Sequence, residues 1–327
     1  LEELGFDPEF IDINLSDFGP KYEDLEAKLS SGVSCFLFTY LFGYVPNIEL
    51  IADLCKKYNV TLIEDISHNI GSNYNGKECG TFGSASIYSA SLTKYVDGYG
   101  GAFVLVNDTN LYNEIRDFSC NLSKPNRLRV IKLIYKTCAW NITLNRYVFS
   151  FFTYPLLKVL KKYFPEHFEL LLGPNTSTER GARLPEFMFE DITNIQCLTI
   201  SKSISNLSKL ISSRHKSVEN LGIALKELGI ISNASPFIFR SNTHWQFILR
   251  VNDTYEARNV LFSNGVETGT TNLPNLASLC NQKLNNSDLL KSNCIYLPIH
   301  IGFSVLDYKK ILYPLLRMRL IDLTANY

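Results

Sequence analysis

From residue 1 to 106, short apolar runs alternate with stretches whose apolar residues recur every three or four positions. That rhythm predicts βαβ units in a largely parallel sheet. Strands are expected at Phe10 to Ile13, Cys35 to Tyr40, Thr61 to Glu64, Ser84 to Ser89 and Ala102 to Val106, and sheet-packed helices at Tyr22 to Leu29 and Ile48 to Tyr58. Buried strands that end in polar residues put those groups at the carboxyl edge of the sheet, where open α/β sheets bind ligands.

After Val106 the pattern changes. Residues 120 to 172 read as an insertion with two helical halves, Arg127 to Trp140 and Asn145 to Tyr163, followed by a polar loop from Gly173 to Arg183. A long helix is expected from Glu190 to Leu228, broken near Ser212. Strands at His244 to Val251 and Cys294 to Leu297, with helices at Tyr255 to Ser263 and Leu306 to Arg317, then suggest a small α+β domain. The expected division is a large domain over 1–119, the insertion and loop over 120–185, a connecting helix over 186–213 and the small domain over 214–327.

With 327 residues and 46% hydrophobic content, the chain is long enough to bury a sizeable core. Lys+Arg and Asp+Glu are equal at 32 each, which gives no reason to expect nucleic acid. The charge is uneven, however. Between Ser119 and Pro165 lie nine Lys/Arg and no acid, so the remainder of the chain carries a net charge of −9. The eight cysteines make no C-x-x-C pair and no His/Cys cluster, so neither zinc nor a disulfide framework is suggested, and a reducing, cytoplasmic setting is expected.

Two segments carry candidate chemistry. In the first, an apolar strand runs from Thr61 into Glu64 and Asp65, then through His68 to Gly71. A buried carboxylate at that strand end is costly unless it meets a cation, and a protonated pyridine nitrogen is such a cation. The second runs from Ser84 through Ser89 to Lys94. Near the mouth of a sheet a lysine is desolvated, which lowers its pKa and frees the amine to attack an aldehyde, while the Ser89 hydroxyl can hold a phosphate. Each has a blander reading alone. A strand-terminal Asp is more often a turn former, a lone Lys a solvated charge, a His after a strand a structural residue, and Ser89 a turn cap.

Together they are more specific. TYLFGY at 39–44 and VTLIEDISHNIGSNYNGKECGTFGSASIYSASLTKYVDGYGGAFVLVND at 60–108 resemble the core of the DegT/DnrJ/StrS-type sugar aminotransferases, fold-type I enzymes dependent on pyridoxal 5'-phosphate. That family places an Asp, a Gln or His three residues on, a Ser five before a lysine, and the lysine; the matching positions are Asp65, His68, Ser89 and Lys94. Asp191 to Leu198, Ser213-Arg214, Gly265 to Gly269 and Leu297 to His300 resemble the family's later segments. The resemblance implies a mostly parallel sheet with helices on both faces and a small C-terminal domain. It also implies Lys94 as Schiff-base lysine, Asp65 on the pyridine nitrogen, His68 at the phenolic oxygen and Ser89 at the phosphate. The implied reaction moves an amino group from an amino acid, usually glutamate, to a nucleotide-linked keto-sugar for glycan or polysaccharide biosynthesis, in a homodimer.

The chain departs from the family at Phe189 and Asp191, where an Asn and an Arg are usual, and its segment Tyr95 to Gly101 is short. It also begins after the family's phosphate-binding helix N-terminus and ring-stacking aromatic, so an N-terminal part is expected upstream of Leu1. A sugar dehydratase of the same fold has His in place of the lysine, which Lys94 argues against. A non-catalytic or regulatory homologue stays open through Phe189 and Asp191.

The insertion is expected to lie on a membrane surface. Its longest charge-free run, Tyr147 to Leu157, is 11 residues, against the ~20 that span a bilayer as a helix. Aromatic residues set among basic ones match interfacial helices, which implies peripheral contact through 127–163 at the inner face of a membrane. The competing reading packs these aromatics against a partner subunit.

Overall fold

The computed structural model describes residues 4–92, 94–172, 184–231, 243, 245–266, 268–269, 276–280, 282–297 and 299–323. Helix α1 (Tyr22–Ser30) leads into strand β1 (Cys35–Thr39), helix α2 (Ile48–Lys57) and strand β2 (Thr61–Asp65). A two-stranded hairpin, β3 (Asn73–Tyr74) and β4 (Lys77–Glu78), precedes β5 (Ala85–Ser89) and β6 (Ala102–Val106). The sheet order is β1-β2-β5-β6, with the first three strands parallel and β6 antiparallel to β5. α2 shows why the local sequence folds this way. The Asn47 side chain caps it by accepting from the Leu50 amide, and its buried positions Ile48, Ile51, Leu54 and Cys55 follow helical spacing. Together with Leu25 and Leu29 of α1 they pack on Phe38, Leu62 and Tyr88 of the sheet. On the opposite face Leu37 and Val104 are exposed.

The strand expected at Phe10 to Ile13 does not form. The chain turns back between Asp12 and Lys21, leaving one isolated bridge from Ile13 to Pro20. Pro20 has no N–H to extend a ladder, and Asp12 instead accepts from the Asn286 and Ser287 amides at 3.0 Å each.

Helix α3 (Thr109–Cys120) precedes the insertion, whose first half is α4 (Arg127–Thr143). The second half is α5 (Arg146–Val148), a π turn at Phe149–Thr153, α6 (Tyr154–Tyr163) and α7 (Pro165–Leu172). The polar loop expected at Gly173 to Arg183 lies outside the described residues. The long helix is two helices, α8 (Asn194–Ser205) and α9 (Leu207–Glu227). Its break falls at Asn206 rather than near Ser212. The Asn206 and Ser205 side chains both donate to the Lys202 carbonyl, capping α8, whereas the Ser212 hydroxyl bonds back to Ser208 inside α9 and interrupts nothing.

The C-terminal part pairs β7 (Phe247–Arg250) with β8 (Cys294–Leu297) antiparallel, flanked by α10 (Thr254–Ser263), α11 (Leu276–Leu279), α12 (Asn285–Asn293) and α13 (Val305–Arg317). Its core gathers Leu221 and Leu225 of α9 with Leu249, Leu261, Ile295 and Leu312. Of the expected strand at His244 to Val251, residues 247–250 form it and His244 lies outside the described residues. The insertion joins this part through Leu157 and Phe168, which pack on Phe262.

Candidate active site

Successive strand residues face opposite sides of a sheet, and at the end of β2 this separates two carboxylates. Glu64 points to the helix-covered face and is fully buried. It accepts from the Tyr40 hydroxyl at 2.6 Å and from the amides of Gly80, Phe82 and Gly83 at 2.8, 2.7 and 2.6 Å. Gly83 has to be glycine, because a Cβ there would come within 2.4 Å of the Leu62 carbonyl oxygen. This network holds the turn before β5 against β2, and so sets where β5 begins.

Asp65 points to the other face, half-buried, and accepts from the Ser67 amide at 2.9 Å. The Ser67 hydroxyl in turn accepts from the Ser89 amide at 3.0 Å, linking the carboxyl ends of β2 and β5. Ser89, on the same sheet face as Asp65, donates its hydroxyl to Ser91 at 3.3 Å.

Lys94 lies in the turn after β5, its amide bonded to the Ser91 carbonyl. Burial lowers its pKa to about 8, although the charge of Asp65 pulls the other way. An appreciable fraction of its amine is therefore neutral and nucleophilic near neutral pH. His68 is buried, and its Nδ1 accepts from the Phe42 amide at 3.2 Å. Burial, reinforced by the charge of Lys94, lowers its pKa to about 3. The ring is thus neutral and carries its proton on Nε2. Phe42 holds the left-handed conformation, φ +59°, that aims this amide at His68; such strain in a bulky residue persists only where its surroundings hold it.

The structure brings Asp65, His68, Ser89 and Lys94 to one edge of the sheet and adds a residue that the sequence reading missed. The Trp245 ring stacks on His68 with centroids 3.9 Å apart and planes 16° apart, and the Lys94 ammonium lies 4.2 Å from the Trp245 centroid. Nothing in the sequence around Trp245 marked it. Arg214, noted only as a match to a family Arg, positions it by donating to the Trp245 carbonyl at 2.8 Å, the Ile299 carbonyl at 3.2 Å and the Tyr95 hydroxyl at 3.0 Å. Tyr95 follows Lys94 directly, so one guanidinium ties the lysine turn to the segment just before β7 that carries the indole.

The departures from the family pattern have visible roles. The Phe189 carbonyl and the Asp191 amide both bond to the Ser123 backbone, and Glu190 pairs with Arg129. These residues anchor the start of the insertion. The short segment Tyr95 to Gly101 folds back on Ala90, whose carbonyl accepts from Gly98 and Gly100 and whose amide donates to Gly101. Glu267 and Pro298, within two of the family-like segments, lie outside the described residues.

With this geometry in place, comparison with known proteins is informative. The model of the DegT/DnrJ/EryC1/StrS aminotransferase family matches residues 1–143. That stretch is similar to the family and includes Asp65, His68, Ser89 and Lys94. A pleiotropic regulatory protein of Geobacillus stearothermophilus is 33% identical over 126 residues, 38% of this chain and 34% of the relative. A GDP-perosamine synthase of Escherichia coli O157:H7 is 32% identical over 118 residues, 36% of this chain and 32% of the relative. The chain thus spans about a third of the length of these relatives. Beyond residue 143 the likeness is one of fold. A crystal structure of a DegT DnrJ EryC1 StrS aminotransferase from Brucella abortus superimposes with a TM-score of 0.67 at 16% identity, covering 97% of this chain and 74% of that one. The fold is the fold-type I architecture of these enzymes.

The family uses pyridoxal phosphate, and the residues present suit it. A lysine amine of lowered pKa, a carboxylate one strand away and a serine hydroxyl on the same sheet face as that carboxylate are the donor set such a group requires. One flat ring, the Trp245 indole, lies against both Lys94 and His68 in this arrangement.

Proposed function

We propose that the protein is a pyridoxal-phosphate-dependent aminotransferase that passes an amino group from an amino acid, glutamate by family habit, to a nucleotide-linked keto-sugar for glycan assembly. We further propose that it acts as a cytoplasmic homodimer with peripheral membrane contact through 127–163. The observation that carries the reading is the Lys94 amine, with its pKa near 8, beside Asp65 at the carboxyl edge of the sheet.

Bound there, the cofactor supplies an aldehyde that captures amines and a ring that accepts electrons. The protein's part is to place and protonate. Lys94 would supply the amine that holds the cofactor and a base able to move a proton beside it. Asp65 keeps its carboxylate available to a ring N–H because only the Ser67 amide occupies it among the contacts described. His68, with Nδ1 held by Phe42, offers its Nε2 proton as a neutral donor. The Trp245 indole shields the amine from water until a ligand displaces it or stacks on it.

A second reading, a regulator that keeps the fold without turnover, is favoured by the same indole lying on Lys94 and by the regulatory name of one relative. Borohydride reduction in the presence of pyridoxal phosphate, followed by peptide mapping, tests the first. The pyridoxyl group is expected on Lys94 and lost in Lys94→Ala. Its recovery on another lysine, or on none, overturns the aminotransferase reading.

A further inference from the structure

The insertion exposes its apolar residues in an ordered way. Along α4, Leu128, Ile131, Tyr135 and Ile142 recur at helical spacing, and all four are exposed, Tyr135 by 76%. They form one stripe opposite the face that buries Val130 and Thr137. Through the π turn and α6, Phe152, Leu156, Val159 and Tyr163 do the same, Phe152 being 73% exposed, while Tyr154, Leu157 and Leu160 on another face pack toward Phe168 and Phe262. Each helix therefore has one apolar face docked to the protein and a second facing outward.

The charge beside these stripes is of one sign. Lys132 and Lys136 flank the first and Lys162 the second, all exposed, with no acidic residue between Ser119 and Pro165. A protein partner built from this same chain would bring a body with a net charge of −9 outside that segment, but also its own nine positive charges, which a symmetric contact between insertions would set against each other. A surface that is flat, negative and apolar just beneath satisfies both features at once. No described helix is long and apolar enough to cross a membrane.

We propose that the outward stripes of α4 and α6 form an in-plane docking surface for an anionic lipid bilayer, with the aromatic and aliphatic side chains at the acyl boundary and Lys132, Lys136 and Lys162 at the headgroups. This rests on the peripheral contact proposed above for 127–163 and specifies its faces and lipid class, and it does not depend on Lys94. The test uses the full chain without cofactor or substrate, so its outcome is independent of whether transamination occurs. Flotation with phosphatidylcholine vesicles is compared with flotation in which part of the lipid is phosphatidylglycerol. Binding is expected on the anionic vesicles alone and is expected to fall with salt. Changing Lys132, Lys136 and Lys162 together to Gln should weaken binding about 150-fold. Replacing Tyr135, Phe152 and Leu156 with Ser should weaken it comparably, with the melting temperature unchanged. Equal absence of binding to both vesicle types overturns the proposal. So does a serine variant that keeps vesicle binding while sedimenting as a monomer where the parent is a dimer, because the stripes would then cover a second copy.

Discussion

The carboxyl edge of the sheet and the 127–163 helices break the rule of polar outside and apolar inside in opposite senses. At the sheet edge Glu64 and His68 are buried and Asp65 and Lys94 half-buried, whereas on the helices Tyr135, Phe152 and Leu156 stand in solvent. The difference shows where each region finds its partners. Glu64 has four donors within the chain, so its charge serves the fold. Among the described residues Asp65, one residue on and facing the other way, has one donor, and Lys94 meets an aromatic face. These two retain capacity for a ligand, much as the exposed stripes retain apolar area for a surface.

The largest expected effect comes from breaking the saturated network. Glu64→Ala strands the Tyr40 hydroxyl and three amides, and at about 1–3 kcal/mol for each group left unsatisfied it should cost at least about 4 kcal/mol. Urea unfolding measures this, and a loss below ~1 kcal/mol would show that Glu64 is no more structural than Asp65.

Lys94 should behave in the opposite way. Its folded pKa of about 8 lies below its unfolded value of 10.5, so between those values the unfolded chain binds the extra proton and stability rises with pH. Below pH 8 the whole cost of burying the ammonium is present. Lys94→Met should therefore stabilise the cofactor-free protein by about 1–2 kcal/mol at pH 7, an amount reduced because the site is not sealed from water. The variant should also lose the rise between pH 8 and 10.5. Melting temperatures across that range test both; a destabilised variant would mean that the ammonium over Trp245 is a structural contact.

Smallest of all should be the effect of substituting the stripes. Tyr135→Ser and Phe152→Ser should each change stability by no more than about 0.5 kcal/mol without lipid. A loss of ~2 kcal/mol or more would place these side chains in a core and erase the contrast between the two regions.

Much of this was legible in the chain. Ala102–Val106 and Cys294–Leu297 are the strands that apolar runs predict, and β1, β2 and β5 differ from expectation by a residue at one end. Asp65, His68, Ser89 and Lys94 are named together by the family resemblance, and because each lies within a few residues of a strand end, local order carries them to the same edge of a parallel sheet. The failures were also local in form. Phe10 to Ile13 has the composition of a strand but finds no neighbouring edge, since Asp12 is held by Asn286 and Ser287. Side-chain competition for the Lys202 carbonyl moved the helix break from Ser212 to Asn206.

What the sequence determined by itself is therefore whatever depends on short spacing: the elements, the strand-end polar groups and the one-sign charge of the insertion. Only the tertiary structure decided that Trp245 comes from a distant part of the chain to stack on His68 and cover Lys94, with Arg214 holding it there. It also decided that His68 is neutral, and that Glu64 serves the fold while Asp65 stays available. The physical reason is that burial and long-range packing set pKa values and hydrogen-bond saturation, and neither is encoded in any window of a few residues.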